Sequence, residues 1–298
     1  MGRWMGMPYL MHIPFDNSNR LDRNIYYFEY KRIEFKLVQH NQKYQDVLLT
    51  ILPESNDRVG KIYKVACEYL SALSWQNSAM VIITPEGGVE RKETTLRKAK
   101  CTMFDFRKVP WGCYSGRGYS IIVIPKIGND RQRKALALFR QAFSNLNPYF
   151  SFLFYWHVLG VGKRKLPPKK PSASEWIDAS FNKRKVHVAK EHLTRLHLGK
   201  QTLGKCLYDD YRNAIAHIER APGKKELEID DLDDLERTYI STRVIEDFAK
   251  YYIKSELGLT EKLYLAKKTR SGFPVYLAES QLWEKGYKIA YERKPTKF

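Results

Sequence analysis

The chain has 298 residues and a formal net charge of +19, from 52 Lys and Arg against 33 Asp and Glu. Its 43% hydrophobic and 13% aromatic content can fill a packed interior, which excludes a wholly disordered chain. The basic balance favours polyanionic partners such as RNA, DNA or an anionic membrane face, because Lys and Arg neutralise phosphate charge.

Residues 1–128 alternate between strand-like and helix-like patterns. In the run Ile25–Val38, the apolar residues Ile33, Phe35 and Leu37 alternate with charged ones, which is typical of a half-buried strand. A second such run, Val47–Leu52, ends at a proline. The segment "NDRVGKIYKVACEYLSALSW" then changes to a helical period, and "AMVIIT", "GGVERKE" and "GYSIIVIP" are predicted strands. This part is therefore predicted to be a mixed α+β unit.

From residue 129 the pattern becomes helical. Helices are predicted in "DRQRKALALFRQAFSNLN" and "PYFSFLFYWHVLG", and two longer ones from about Glu191 to Glu219 and from about Asp231 to Glu256. Residues 161–189 read as a basic connection broken by prolines. The predicted fold class is α+β: a mixed α/β unit (1–128), an all-α helical bundle (129–258) and a basic C-terminal tail (259–298).

Cysteine spacing and hydropathy indicate the compartment. The four cysteines contain no CxxC pair, so neither zinc nor a disulfide framework is predicted, and free thiols fit a reducing cytoplasm. The N-terminus is a poor signal peptide, and no run of roughly 18 apolar residues could span a bilayer. We expect a cytoplasmic protein without a membrane segment, a metal or a cofactor.

The stretch "LYDDYRNAIAHIER", residues 207–220, carries the strongest candidate site. A helical run here sets Arg212, Asn213 and His217 beside apolar residues. With 100° per residue, an apolar seam of five residues runs along this helix. Its members are Leu203, Leu207, Tyr211, Ala214 and Ile218.

The two borders of this seam carry different polar groups. Asp210, Asn213 and His217 lie along one border, whereas Arg212 lies about 140° from His217 on the other. One regular helix would therefore keep Arg212 and His217 apart. If the seam packed against a copy of itself, a two-fold axis would bring the arginine of one subunit toward the histidine of the other. The pattern predicts a homodimer.

The hexapeptide "RNAIAH" resembles the RxxxxH motif of the HEPN superfamily, the higher eukaryotes and prokaryotes nucleotide-binding domains. The motif of that family lies on a late helix of an all-α bundle, and a polar residue commonly follows its arginine. The two-part organisation also resembles MauJ-like bacterial proteins more loosely. The HEPN resemblance implies a metal-independent endoribonuclease that cleaves RNA by attack of the 2′-hydroxyl in a dimeric composite site, with a defence or toxin-like role.

By this resemblance, His217 is the general acid/base, Arg212 the phosphate clamp, and Asn213 an orienter or additional donor. These residue types suit the chemistry, because histidine titrates near neutrality and the planar arginine fork stabilises phosphate charge. Asp210 is a further candidate for orienting His217. The first half would be a sensor, substrate-selecting or regulatory domain, and any inhibitory partner protein stays undefined.

The segment that precedes this helix offers the candidate RNA contacts. Residues 161–200 contain eleven Lys and Arg and three Asp and Glu, a local excess of 11 − 3 = +8. Eight of these cations are our candidates for holding an RNA backbone. They are Lys163, Arg164, Lys165, Lys169, Lys170, Lys183, Arg184 and Lys185.

Two other interpretations fit the same residues. The bundle could be a non-catalytic nucleic-acid-binding or dimerisation module that keeps the motif. The helix could also be an ordinary surface helix, in which Arg212 pairs with Asp209 or another acid and His217 interacts with the helix C-terminus.

Overall fold

The computed structural model describes most of the chain between residues 9 and 278. The described ranges are 9–17, 19–21, 25–38, 46–52, 59–83, 88–91, 115–119, 123–161, 171–196, 198–216, 227–228, 231–265 and 277–278. Within these ranges, no helix has both the length and the apolar character needed to cross a membrane.

An antiparallel sheet dominates the N-terminal part. The strands are β1 (Tyr9–Asn17), β2 (Asn19–Leu21), β3 (Ile25–Tyr30), β4 (Ile33–Val38), β5 (Asp46–Leu52), β6 (Val81–Ile83), β7 (Gly88–Arg91), β8 (Ser115–Tyr119) and β9 (Val123–Pro125). The main sheet has the order β3-β4-β5-β1-β6, and β7 also pairs with β1. Strands β2 and β8 form a separate parallel pair.

Strand β1 lies inside the sheet although it contains Pro14, and the sequence patterns did not predict it. On one side β1 pairs with β5 along Tyr9–Phe15. On the other side it pairs with β7 up to His12 and with β6 from Phe15. Pro14 lies between these two pairings, so its missing N–H interrupts no ladder on that side.

The predicted run Ile25–Val38 is a hairpin of two strands. Lys31 and Arg32 form its turn with φ of 50° and 64°. Two successive positive φ values suit the right-handed twist of a hairpin, but the turn lacks the Asn-Gly pair that usually marks it in a sequence. Lys31 Nζ lies 2.5 Å from Oε1 of the buried Glu68, which also accepts a hydrogen bond from Tyr30.

The predicted change to helices is confirmed. The helices are α1 (Val59–Asn77), α2 (Asp130–Phe143), α3 (Pro148–Gly160), α4 (Ala173–Asn182), α5 (Lys190–Arg195), α6 (Leu203–Cys206), α7 (Asn213–Ala216) and α8 (Leu232–Ser255). A π-helical segment, Leu207–Arg212, joins α6 to α7. Strands β10 (Lys262–Tyr264) and β11 (Leu277–Ala278) follow, and β10 pairs with β9. The α+β class is correct.

Two local predictions were wrong. The connection 161–189 contains the helix α4, which begins with a capping box between Ser172 and Glu175. The single helix predicted over about 191–219 is broken after α5, because Gly199 adopts a left-handed φ of 56° and Thr202 caps a new helix.

One apolar core continues across residue 128 from the sheet into the helices. The buried Arg140 of α2 donates hydrogen bonds to Ser71 of α1 at 3.1 Å and to the carbonyl of Val81 in β6 at 3.1 Å. Ser144 also bonds to both backbone groups of Val81. The sheet and the helices are therefore joined by polar contacts inside the core.

Candidate functional site

The motif helix consists of α6, the π-helical segment and α7, residues 203–216. Its first turn is held against α4 by hydrogen bonds. Asp178 accepts a hydrogen bond from Thr202 Oγ1 at 2.7 Å and another from the Gly204 backbone N–H at 2.7 Å. One carboxylate thus satisfies the capping residue and an otherwise unpaired N–H of the first turn.

Gly204 allows an unusually close approach of the two helices. A Cβ built on Gly204 would lie 2.1 Å from the carbonyl oxygen of Ser174 and 2.9 Å from Cγ of Asp178. Only glycine leaves room for this contact, so Gly204 and Asp178 together set the position of α6.

The middle of the motif helix is π-helical rather than α-helical. The segment Leu207–Arg212 carries i→i+5 geometry and ends at Asn213, where α7 begins. Such single π turns are rare and often occur at functional sites. Because the rotation per residue differs here, the regular 100° spacing does not apply between Asp210 and Asn213.

The predicted apolar seam is buried inside the chain. Leu203, Leu207, Tyr211 and Ala214 are 3%, 0%, 4% and 8% exposed. The ring of Tyr211 packs on Phe152 of α3, with ring centroids 6.0 Å apart. The seam therefore does not face a second copy, and its predicted role as the dimer contact was wrong; Ile218 lies outside the described residues.

Arg212 is half-buried and held by its neighbours. Its Nη1 donates a hydrogen bond to Oδ1 of Asn213 at 2.7 Å. Its guanidinium lies 5.8 Å from the ring centroid of Tyr208, one turn earlier, within cation–π range. The ring of Tyr208 in turn packs on Trp156 with centroids 5.9 Å apart.

Within the described part of the chain, Arg212 forms no ion pair with a carboxylate. The pairing with Asp209 that the surface-helix interpretation expects is not among its contacts. An arginine held by an amide and an aromatic ring keeps its full positive charge available for an anion.

The predicted orienter Asp210 lies beside the thiol of Cys206. Burial raises the pKa of Cys206 to about 12, and the negative charge of Asp210 adds to this shift. Asp210 itself is exposed. Cys206 is consequently a protonated, buried thiol at neutral pH. In the described part of the chain, Asp210 therefore interacts with this thiol, while His217, which it was predicted to orient, lies outside that part.

The remaining predicted residues fall into two groups. His217 and the first cation cluster lie outside the described residues; that cluster is Lys163, Arg164, Lys165, Lys169 and Lys170. Lys183, Arg184 and Lys185 form an exposed turn directly after α4. No hydrogen bond or ion pair joins this turn to Arg212 in the described ranges.

The start of α8 lies against the π-helical segment. The charges of Asp234 and Arg237 act on the phenol of Tyr211, whose pKa is raised mainly by burial. The same part of α8 exposes an apolar stripe, with Leu232 at 76%, Leu235 at 38% and Tyr239 at 51%. The i, i+3 and i+7 spacing of this stripe does not say which face of α8 is exposed, so the sequence did not predict it. The ring pair Tyr208–Trp156 joins residues far apart in sequence and was not predicted either.

These elements define an α+β protein in which an antiparallel sheet precedes a helical region that carries the motif. Residues 135–254 match the model of a protein family described as methylamine utilization protein MauJ. The match covers most of the helical region and supports the likeness to MauJ proteins that the sequence indicated. The description names methylamine utilization and no reaction. No curated protein and no solved structure matches the chain significantly.

Proposed function

We propose that the protein is a metal-independent endoribonuclease of the HEPN type, with Arg212, Asn213 and His217 as its reactive residues. The observation that carries this proposal is the state of Arg212, which is half-buried, bonded to Asn213 and unpaired with any described carboxylate. Such a guanidinium can bind phosphate oxygens in two parallel hydrogen bonds.

Each residue has a part in the reaction. His217 takes the proton of the RNA 2′-hydroxyl or gives one to the leaving 5′-oxygen. Arg212 stabilises the charge that builds on the phosphate during attack. Asn213 holds the guanidinium in place through its amide oxygen, which makes it a positioning residue rather than a second proton carrier.

The reaction requires no metal in this scheme, since the 2′-hydroxyl is the nucleophile. We also propose that the protein acts in the cytoplasm as a homodimer, in which a second copy supplies the partner residue of each motif. The exposed turn at Lys183, Arg184 and Lys185 would bind the RNA backbone, together with the cations at 163–170.

A non-catalytic nucleic-acid-binding module is the second candidate. Tyr208 favours it, because this ring is 40% exposed and lies beside Arg212. An exposed aromatic ring next to a cation is a stacking position for an unpaired base and needs no chemistry.

The two candidates separate in one experiment. The purified protein is incubated with mixed single-stranded RNA or DNA in a chelator, and the ends are analysed by mass spectrometry. Cleavage should persist, leave 2′,3′-cyclic phosphates and fail on DNA, which lacks the 2′-hydroxyl. His217→Ala and Arg212→Ala should each slow it by about 100-fold or more, whereas His157→Ala, at an exposed histidine of α3, should not. RNA binding without cleavage would favour the module, and cleavage that needs a divalent ion would contradict both.

A further inference from the structure

A second candidate site is a cleft that contains none of the residues around Arg212. It has a volume of about 450 Å³ and is lined by the end of α1, by β9, α2 and α8, and by the loop and strand that follow α8. This volume lies in the range of small-molecule sites in proteins.

One wall of the cleft is aromatic. Trp75 meets Phe139 edge to face with centroids 4.8 Å apart, and Phe139 stacks on Phe143 at 6.0 Å with an interplanar angle of 12°. Phe139 is buried at the base, while Trp75 and Phe143 are only partly covered. Both outer rings thus line the cleft and keep part of their apolar surface uncovered.

Lysine side chains also line the cleft. Lys250 and Lys254 lie one turn apart on α8, and Lys262 lies in β10. Among the described lining residues, the acidic one is Glu261, which pairs with Lys126 at 2.7 Å. The cleft therefore carries a net positive charge.

The carboxylate nearest to Lys250 does not cancel this charge. Glu246 is buried and lies 2.6 Å from Lys250 and 3.1 Å from Arg243, so two cations share one anion. Lys254 and Lys262 form no ion pair within the residues that the structure describes. Both are exposed and can turn toward a ligand.

We infer that this cleft binds a nucleotide, with the base against Trp75 and Phe143 and the phosphate between Lys254 and Lys262. A planar ring gains from contact with the aromatic residues, and the anionic group gains from the lysines of the same cleft. The side chains of Gln76, Ser78 and Thr260 also line the cleft and offer hydrogen bonds to a base or sugar. The ligand is a free mononucleotide or one nucleotide of a single strand, which share this chemistry.

The site is separate from the proposed nuclease motif. It uses the ends of α1 and α8 and none of the residues around Arg212. Variants of the cleft and variants of the motif therefore report on different sites, so the cleft and the nuclease proposal can fail independently.

Isothermal titration calorimetry of the full chain tests the inference. The four 5′-mononucleotides, the four nucleosides, inorganic phosphate and a mixed-sequence DNA hexamer, which the proposed nuclease does not cleave, are titrated separately. At least one mononucleotide or the hexamer should bind, and a bound mononucleotide should bind more tightly than both its nucleoside and phosphate. Binding of mononucleotides identifies the free ligand, and binding of the hexamer alone, if the cleft variants below lose it, identifies a strand.

Variants place the binding in the cleft. Phe143→Leu removes a ring at similar volume and should weaken binding about tenfold. The double variant Lys254→Gln, Lys262→Gln should weaken it at least tenfold and flatten its salt dependence. The matched double variant Lys134→Gln, Lys190→Gln removes the same charge elsewhere on the exposed surface and should bind normally. The inference is overturned if no probe binds, if phosphate alone binds as well as every mononucleotide, or if the lysine pair can be replaced without effect.

Discussion

Arg212 donates a hydrogen bond of 2.7 Å from Nη1 to the side-chain oxygen of Asn213, the residue that follows it in the chain. Adjacent residues on a regular α-helix point in directions 100° apart, so their side chains seldom meet. Here the π-helical segment ends between them, at the point where the helical rotation changes. The contact ties the orientation of the guanidinium to the geometry of the helix.

The first prediction concerns this contact. Asn213→Ala should lower RNA cleavage by about tenfold, the effect of one lost hydrogen bond to a charged group, and less than Arg212→Ala does. Single-turnover rates in a chelator measure it. Asn182→Ala, at an exposed asparagine that ends α4, is the control and should cleave normally. Equal rates for Asn213→Ala and the parent would contradict the positioning role.

The second prediction concerns the packing of α6 on α4. Gly204→Ala should lower the free energy of unfolding by about 1–3 kcal/mol, because the new methyl group meets backbone atoms of Ser174 that cannot move aside. Gly60→Ala in α1 has no atom within 4 Å of the added Cβ and should be neutral or stabilise by up to about 1 kcal/mol. Urea unfolding of both variants measures the two changes. An unchanged midpoint for Gly204→Ala would show that α6 and α4 pack less closely than the structure indicates.

The third prediction concerns the polar junction in the core. Arg140→Ala should lower the free energy of unfolding by about 2–4 kcal/mol, since it removes the buried hydrogen bonds to Ser71 and Val81 and leaves a cavity. Arg131→Ala on the exposed side of the same helix should change it by less than about 0.5 kcal/mol. Chemical denaturation monitored by tryptophan fluorescence measures both, and equal effects would place Arg140 outside the core.

The fourth prediction concerns dimerisation. The exposed stripe of Leu232, Leu235 and Tyr239 lies on the part of α8 that packs on the motif helix, and a second copy would cover it. Light scattering should give the mass of a dimer for the parent chain and of a monomer for Leu235→Lys. Tyr63→Lys, at an exposed apolar residue of α1, should stay dimeric. A monomeric parent at all practical concentrations would exclude a composite site.

The fifth prediction concerns pH. The pKa of Cys206 is about 12 in the folded chain against an ordinary value of 9.0, so the folded state keeps a proton that the unfolded state loses. The stabilisation from this thiol is therefore complete below pH 9 and decreases as the pH rises through about 12.

Cys206→Ala removes this contribution while the other buried groups stay. Between pH 9 and 10, its free energy of unfolding should fall less steeply than that of the parent, by at most about 1.4 kcal/mol per pH unit. Urea unfolding at pH 8, 9 and 10 measures the slopes. Parallel slopes would mean that the thiol ionises equally in both states.

The sequence by itself determined the α+β class, the change from strands to helices and the position of most long helices. These features follow from local periodicity: Val59–Asn77 and Leu232–Ser255 repeat their apolar residues at helical spacing, and Asp231 caps the latter. The sequence also predicts Arg212, Asn213 and His217 as a candidate motif, because the chemistry and spacing of these residues are local.

Tertiary structure alone decided which surfaces these elements share. The periodicity of Leu203, Leu207 and Tyr211 marks an apolar face but cannot say whether that face meets another helix of the same chain or a second copy; packing on α3 decided it. The π-helical turn also changes the rotation per residue, so the polar residues on either side of the apolar seam do not follow the 100° spacing of a regular α-helix. The nucleotide cleft unites Trp75, Phe143 and Lys262, which lie far apart in sequence, and only folding brings their rings and charges together.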